Sequence, residues 1–131
     1  MTFLLDTDVV VNYLRNKPGA WELLDELLDK GDLAMTVITV GELEYGARLA
    51  DNYQKEIDKM RDVMIKLNVK VEFLSNITMR IYADIRRKLE IKGNKLDDFD
   101  LLIAAIAMEY GSTLVTGNKK HFERIEGLKV Y

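Results

Sequence analysis

The sequence contains no cysteine and a single histidine in 131 residues. Without cysteine there is no thiol nucleophile, iron–sulfur cluster or thiolate zinc site, and nothing requires an oxidising compartment. A Ser-His-Asp triad would have to combine His121 with Ser75 or Ser112, and neither serine lies in a G-x-S-x-G motif. The chemistry that remains is that of carboxylates, which as oxygen-only sites suit hard cations such as Mg²⁺ or Mn²⁺.

Long apolar runs are also missing from the chain. No stretch approaches the ~20 residues that cross a bilayer, and Asp6 comes too early for a secretory signal. Hydrophobic residues make up 48% and charged residues 31%, which is the balance of a globular protein. We therefore predict one domain, residues 1–131, in a cytoplasmic protein without a membrane segment.

The net charge of −3 is unlike the basic character of most nucleic-acid-binding domains, so any contact with a nucleic acid must use local patches. Two basic stretches are available: Arg86, Arg87, Lys88, Lys92 and Lys95, and then Lys119, Lys120 and Arg124. The first is equally well explained as a solvated helix face. Lys119 and Lys120 are the better candidates for binding phosphate, because they follow a presumed active-site loop.

Short segments of two kinds predict the strands of a sheet. Residues 3–5, 34–38 and 114–116 are continuous apolar runs, as expected of strands covered on both faces. Residues 69–73 and 128–131 alternate apolar with polar side chains, which is typical of half-exposed strands. We place the last two segments at the edges of the sheet.

Helical patterns lie between these strands. One helix is expected to begin near Pro18, which suits a first helical turn. Three further apolar stripes have helical spacing: Tyr53, Ile57, Met60, Met64 and Leu67; Ile77, Ile81, Ile85 and Leu89; and Ile103, Ile106, Ala107 and Tyr110. Strands that alternate with helices predict a three-layer α/β/α sandwich with a mainly parallel central sheet.

Acidic side chains follow the predicted buried strands. Ligands of open α/β sheets collect at the carboxyl ends of the strands, and Asp6 and Asp8 stand at the end of the first strand. Asp6 or Thr7 could simply cap a helix that begins near Val9, but capping does not explain two acids at this position. We interpret Asp6 as a site residue and leave the role of Asp8 open.

Two later segments carry further acids. Thr39-Val40-Gly41-Glu42 has the form of a capping box, yet Glu42 also follows a central strand and should face the same crevice as Asp6. Asp97, Asp98 and Asp100 precede an apolar helix, where the helix dipole accounts for one or two acids but not readily for three. The segment Thr116-Gly117-Asn118 ends another central strand and is the last candidate.

Four motifs occur in order along the chain: Leu5-Asp6-Thr7-Asp8-Val9; Thr39-Val40-Gly41-Glu42-Leu43 with Tyr45-Gly46; Asp100-Leu101-Leu102-Ile103-Ala104-Ala105; and Val115-Thr116-Gly117-Asn118 with Phe122. Together they resemble the PIN domain, and more narrowly the VapC-type toxins of type II toxin–antitoxin pairs. The resemblance covers essentially the whole chain. Each motif alone is weak, but four in order at suitable spacing are fairly specific.

The resemblance implies a metal-dependent endoribonuclease that hydrolyses RNA phosphodiester bonds, inhibited by a cognate antitoxin protein. Asp6, Glu42 and Asp100 take the places of the catalytic, metal-binding acids, with Mg²⁺ or Mn²⁺ as the cofactor, and Asp97 is a further candidate ligand. Asn118 stands where the family often has an aspartate, so it can coordinate through its carbonyl but adds no charge. This departure puts a two-metal site in doubt, but not a one-metal site.

Charge repulsion adds an expectation about the metal-free protein. Three adjacent carboxylates repel each other, so we expect that without a cation at least one has a raised pKa or that the side chains spread apart. A divalent cation relieves this repulsion and supplies an activated water for phosphodiester hydrolysis.

Other functions fit parts of the sequence. Asp6-Thr7-Asp8-Val9-Val10 matches the opening of a HAD-like phosphatase, with Asp6 as nucleophile and Asp8 as general acid, although the chain is short for that fold. A phosphoacceptor receiver domain has a similar size, but no late lysine matches its pattern. A PIN-like fold that serves only as a non-catalytic interaction module is the third alternative.

We also predict a homodimer that binds an antitoxin segment over its active site. The Tyr53-to-Leu67 stripe closely follows an apolar helix with Leu43, Tyr45 and Leu49, and so small a domain is not expected to bury both. An inhibitor would gain by pairing an Arg or Lys with Asp6 or Asp100. His121 is expected to be a surface or partly packed residue rather than a catalytic base.

Overall fold

The computed structural model describes residues 1–131 and confirms the α/β/α sandwich. Four parallel strands form one sheet in the order β3-β2-β1-β4. The strands are β1 Thr2–Leu5, β2 Asp32–Thr36, β3 Lys70–Glu72 and β4 Thr113–Val115. The helices are α1 Thr7–Leu14, α2 Ala20–Leu28, α3 Val37–Leu49, α4 Tyr53–Lys66, α5 Asn76–Ile91, α6 Asp98–Tyr110 and α7 Lys119–Phe122. No helix combines the length and apolar character that a membrane crossing requires.

The first strand lies inside the sheet and contributes to both halves of the core. β1 pairs with β2 on one side and with β4 on the other. Phe3 and Leu5 belong to one apolar cluster and Leu4 to the other, and all three are at most 1% exposed. Because successive side chains of a strand point to opposite faces, this continuous apolar run packs against helices on both faces.

One predicted edge strand is confirmed, and the other, residues 128–131, is not a strand but a single bridge at the expected edge. β3 is the outer strand on one side, where Lys70 is exposed and Val71 and Glu72 are half-buried. On the other side, Val130 forms a single parallel bridge to Leu114 of β4. Alternating polar side chains therefore mark the two places where the sheet meets solvent.

Two predicted boundaries were wrong. β2 ends at Thr36, and Val37 and Ile38 already belong to α3, because the Thr36 hydroxyl accepts a hydrogen bond from the Thr39 N–H at 3.1 Å and caps the helix. The interpretation of residues 39–42 as a capping box is therefore incorrect. α2 begins two residues after Pro18, because the intervening Gly19 has a φ of 84° and cannot be part of the helix.

The apolar stripe on α4 packs inside the domain rather than remaining free. Ile57 and Leu67 are each 6% exposed, and Met60 and Met64 pack against the core cluster that contains Phe3. The α4 stripe therefore leaves no free apolar surface, but Tyr45 and Leu49 of α3 are 67% and 69% exposed, so the domain does not bury both helices, as expected. Exposed apolar side chains lie elsewhere and include Tyr45, Leu49, Ile65, Phe73, Leu74 and Ile77.

Candidate active site

The candidate residues meet where the parallel strands end and the next helices begin. Asp6 directly follows β1, and its backbone N–H donates to the carbonyl of Val115 in β4 at 2.9 Å. Thr116 to Asn118 follow β4, and α3 follows β2. This is the edge of an α/β sheet at which ligands bind.

Asp6 is buried and is held by two hydrogen bonds. The residue is 7% exposed. Its Oδ1 accepts from the Thr7 N–H, which makes Asp6 the N-cap of α1, and its Oδ2 accepts from the Thr116 hydroxyl, both at 2.8 Å. The same carboxylate therefore caps α1 and contacts Thr116 at the end of β4.

The electrostatic environment of Asp6 is unfavourable to its negative charge. Burial raises the pKa of Asp6 from 3.8 to about 6, the hydrogen bond from Thr116 opposes the rise, and the charge of Asp8 adds to it. The hydrogen bond from Thr7 lowers the pKa and the charge of Asp100 raises it, both as smaller effects. Asp6, Asp8 and Asp100 thus share one electrostatic neighbourhood, but burial rather than charge repulsion is the main cause of the raised pKa of Asp6.

Asp8 connects α1 to the loop after β4. Its Oδ2 accepts from the Gly117 N–H at 3.0 Å. A Cβ atom at position 117 would lie 2.6 Å from this oxygen, so glycine is required for the close approach. Oδ1 of Asp8 is buried and has no hydrogen-bond partner. A buried carboxylate oxygen without a partner is costly, and a cation or a water would satisfy it.

Glu42 is tied to the same helix through a threonine. The Thr7 hydroxyl donates to Glu42 Oε1 at 2.6 Å and lies 2.9 Å from the hydroxyl of Thr39. Glu42 stands in the second turn of α3, away from the helix cap. Its contacts are therefore directed toward the residue next to Asp6 and not toward the end of its own helix.

Asp100 lies beside the only histidine. Oδ2 of Asp100 is 2.9 Å from Nε2 of His121, and the two side chains are 29% and 25% exposed. The partial burial of His121 agrees with its predicted character, but sequence reasoning missed this contact. Asp100 is in the first turn of α6 and His121 is in α7, so the pair joins two elements.

The remaining polar candidates make other contacts or none. Asp97 is exposed at the N-cap position of α6 without a capping hydrogen bond, and Asp98 accepts from the hydroxyl of Tyr82 at 2.7 Å. Asn118 is also exposed, and its backbone N–H donates to the Thr116 hydroxyl. No contact joins the side chain of Asp97 or Asn118 to Asp6, Glu42 or Asp100.

The chemistry of the donor set fits a hard divalent cation. All the acids at this edge offer oxygen ligands, Asp8 has an unsatisfied buried oxygen, and Asp6 carries a destabilised charge. As the side chains stand, no three of them are arranged to hold one ion together. Of these acids, Asp6, Glu42 and Asp100 are the ones that the sequence predicts as ligands of a cation.

Basic side chains border this edge. Lys119 and Lys120 are exposed in the first turn of α7, immediately after the loop that contacts Asp6 and Asp8. Lys88, Lys92 and Arg124 line one shallow groove, so the two basic stretches converge in space. Lys88 is paired with Asp84 at 2.9 Å, which reduces the positive charge available there.

A separate apolar groove reaches the site from the side of α4. It has a volume of about 290 Å³ and is bordered by α1, α3 and α4. Its lining includes Val11, Leu14, Leu43, Ile57 and Met60, together with Glu42. One candidate site residue is thus also part of the wall of an apolar groove.

Comparisons with known proteins agree with this arrangement. The model of the PIN domain family matches residues 3–128. The chain is 33% identical over 129 residues to "Ribonuclease VapC2" of Rickettsia felis, covering 98% of this chain and 95% of that protein. It is 27% identical over 129 residues to "tRNA(fMet)-specific endonuclease VapC" of Shigella flexneri, with coverage of 98% and 96%.

Solved structures give the same result. The structure of VapBC2 from Rickettsia felis bound to a promoter DNA fragment superposes with a TM-score of 0.90 at 29% identity, covering 100% of this chain and 98% of that chain. VapBC-1 from nontypeable Haemophilus influenzae gives a TM-score of 0.87 at 27% identity, with coverage of 100% and 97%. The chain belongs to the PIN-domain family and is similar along its whole length to VapC ribonucleases.

Proposed function

We propose that this protein is a metal-dependent endoribonuclease and the toxin of a toxin–antitoxin pair. The observation that carries the proposal is the buried Asp6, whose charge is disfavoured by burial and by Asp8 and Asp100. A cation offsets such a cluster of negative charge, and the cluster lies in a chain that matches VapC ribonucleases from end to end. The phosphatase and receiver-domain alternatives have no comparable support.

In this proposal Asp6, Glu42 and Asp100 hold Mg²⁺ or Mn²⁺, with Asp97 and Asn118 outside the set unless their side chains move inward. The bound ion supplies activation of water and neutralisation of charge at the scissile phosphate. The chain's own contribution is orientation: Thr116 fixes Asp6, and Thr7 fixes Glu42. Hydrogen bonds of this kind commonly change metal affinity or activity by about 10–100-fold.

The substrate is RNA, and Lys119 and Lys120 are proposed to bind its phosphates. The overall charge of −3 disfavours a polyanion at long range, so short-range contacts must hold the substrate. Both lysines are exposed and follow directly on the loop that contacts Asp6 and Asp8. We propose the cytoplasm as the place of action, because the proposed substrate is cellular RNA.

The proposed antitoxin partner occupies the groove between α1, α3 and α4. Apolar side chains form most of the groove, and Glu42 lies in its wall. A segment with apolar anchors and an Arg or Lys could fill the groove and pair its cation with the acids. The similar structures from Rickettsia and Haemophilus are VapBC complexes, which favours a partner of this kind.

We also retain the homodimer as a proposal, on a different surface from the α4 stripe. Phe73 and Ile77 are 61% and 56% exposed around the start of α5. Large exposed apolar side chains near one another in the sequence are candidates for a protein interface. Light scattering at micromolar concentration tests this, and a mass of one chain throughout the range contradicts the dimer.

Cleavage of RNA by the purified protein tests the activity. The protein is incubated with labelled RNA in Mn²⁺, in Mg²⁺ and in EDTA, beside Asp100→Asn, which keeps size while removing one charge. Cleavage that needs the cation and is lost in the folded variant supports the proposal. A folded wild type that cleaves no RNA in any cation supports the non-catalytic module instead, and a phosphorylated Asp6 would restore the phosphatase.

A further inference from the structure

His121 contacts one of the proposed metal-binding acids but has no role in the proposed reaction so far described. Its Nε2 atom lies 2.9 Å from Oδ2 of Asp100, although the two residues are 21 positions apart in the sequence. The contact joins the last short helix to the first turn of α6. The side chain of Asp100 makes no other hydrogen bond, so this contact is the only one that fixes the orientation of its carboxylate.

The imidazole is fixed in place by packing around α7. Phe122, the next residue, is 1% exposed, and Ile125 is 3% exposed, so both anchor this segment in the core. The rings of His121 and Phe122 meet edge to face, with centroids 5.5 Å apart and an interplanar angle of 84°. Because the imidazole packs against Phe122, it offers the Asp100 carboxylate a hydrogen-bonding partner in a defined position.

The chemistry of the pair assigns the donor. An ionised carboxylate only accepts hydrogen bonds, so the Nε2 atom of His121 carries the proton and donates to Oδ2 of Asp100. This hydrogen bond restricts rotation of the carboxylate and leaves Oδ1 without a partner in the protein. One oxygen is therefore fixed and the other is available to a ligand.

The neighbouring residues of the same segment act in the same way on other acids. The Thr116 hydroxyl donates to Asp6, and the Gly117 N–H donates to Asp8. Residues 116–121 thus reach three acids with three separate hydrogen-bond donors. His121 completes this pattern at its far end.

We propose that His121 is a positioning residue that orients the Asp100 carboxylate for binding of the divalent cation. This inference rests on the proposed function, because it takes Asp100 to be a metal ligand. The role requires a donor at the position of Nε2 and not an imidazole as such. A glutamine, whose amide N–H reaches to a similar place, should therefore replace it, whereas a phenylalanine keeps the ring packing and removes the donor.

Direct measurement of Mn²⁺ binding tests this role. Isothermal titration with MnCl₂ is carried out on the wild type, His121→Gln and His121→Phe, with Glu123→Gln, the exposed C-cap residue of the same helix, as the matched control. We expect the Kd for Mn²⁺ to rise about tenfold or more in His121→Phe and to stay within about threefold in His121→Gln and in the control. In RNA cleavage, kcat should fall in His121→Phe while KM is unchanged.

The outcomes separate this proposal from the one it rests on. Wild-type affinity in folded His121→Phe overturns the positioning role alone, as does an equal loss in the Gln and Phe variants. A wild type that binds no Mn²⁺ overturns the proposed metal centre, and the role of His121 with it. If His121→Phe does not fold, by circular dichroism, His121→Ala takes its place in the same comparison.

Discussion

The hydroxyl of Thr7 donates to Oε1 of Glu42 at 2.6 Å, and this bond joins α3 to the helix that Asp6 caps. Glu42 is 35 positions from Thr7 in the sequence, so the contact depends on the packing of the two helices. A carboxylate that accepts a short hydrogen bond of this kind has less freedom to rotate away from the site.

We expect Thr7→Val to lower RNA cleavage about tenfold or more, because Glu42 loses the donor that orients it. The valine keeps the branched shape, so the free energy of unfolding should fall by only about 1–2 kcal/mol. Cleavage rates and urea unfolding measure the two effects. Thr7→Ser retains a hydroxyl and serves as the control, and equal loss of activity in both variants would count against orientation by this bond.

Glu42→Gln and Thr36→Ala separate the charge of the site from the capping of α3. Glu42→Gln should abolish cleavage with little change in unfolding, because the helix is capped by Thr36 and not by residues 39–42. Thr36→Ala should lower the free energy of unfolding by about 1–2 kcal/mol, as for loss of a typical cap. Urea unfolding and RNA cleavage of both variants provide the test. If Glu42→Gln cleaves RNA normally, Glu42 does not belong to the site.

The location of the site could be predicted from the sequence because it follows from strand burial. The apolar run of residues 3–5 ends at Asp6, and an acid at the end of a buried parallel strand lies at the ligand-binding edge. The cap of α3 could not be assigned, because Thr36 and Thr39 are both good caps. Strand pairing decides between them. Thr36 pairs with Glu72 of β3 and is the last residue of β2, so the helix begins directly after it and Thr36 is the cap.

Long-range side-chain contacts were beyond sequence reasoning for a similar reason. The His121–Asp100 pair depends on how Phe122 anchors α7, and no local pattern connects two residues 21 positions apart. The stripe from Tyr53 to Leu67 has helical spacing, but spacing alone does not say which surface covers it. In the structure the protein's own core does so, which removed that argument for a dimer.

The metal-free stability should depend on pH through Asp6. Its pKa is about 6 in the folded protein and near 3.8 when unfolded, so the folded state binds the proton more tightly. Asp6 therefore lowers the free energy of unfolding at high pH. This loss is absent below pH ~4, where the carboxyl is protonated in both states, and it develops as the pH rises through ~6. In EDTA, Asp6→Asn should therefore be more stable than wild type at pH 8, by about 2 kcal/mol.

Urea unfolding of both proteins from pH 4 to pH 8 measures this difference. The advantage of Asp6→Asn should shrink as the pH falls, because the wild-type carboxyl becomes neutral as well. Saturating Mn²⁺ should make the wild type more stable than Asp6→Asn at pH 8, since the cation binds tightly only to the protein that retains the Asp6 carboxylate. A difference that does not vary with pH would show that the charge of Asp6 is not the cause.

Gly117 should tolerate no side chain, because its N–H donates to Asp8 and a Cβ would lie 2.6 Å from Oδ2 of that residue. Gly117→Ala must push the Asp8 carboxylate or the loop aside, so we expect a loss of about 1–3 kcal/mol in unfolding and a fall in cleavage. Gly41→Ala is the matched control. A Cβ at this exposed glycine of α3 would meet open space, and alanine there should raise the free energy of unfolding by up to about 1 kcal/mol.

A double-mutant cycle with Asp8→Ala tests whether the strain comes from Asp8. Asp8→Ala removes the opposing oxygen, so Gly117→Ala should lower the free energy of unfolding less in that background than in the wild type. Urea unfolding of the four proteins of this double-mutant cycle gives the coupling, and strictly additive effects would mean that the strain does not come from Asp8.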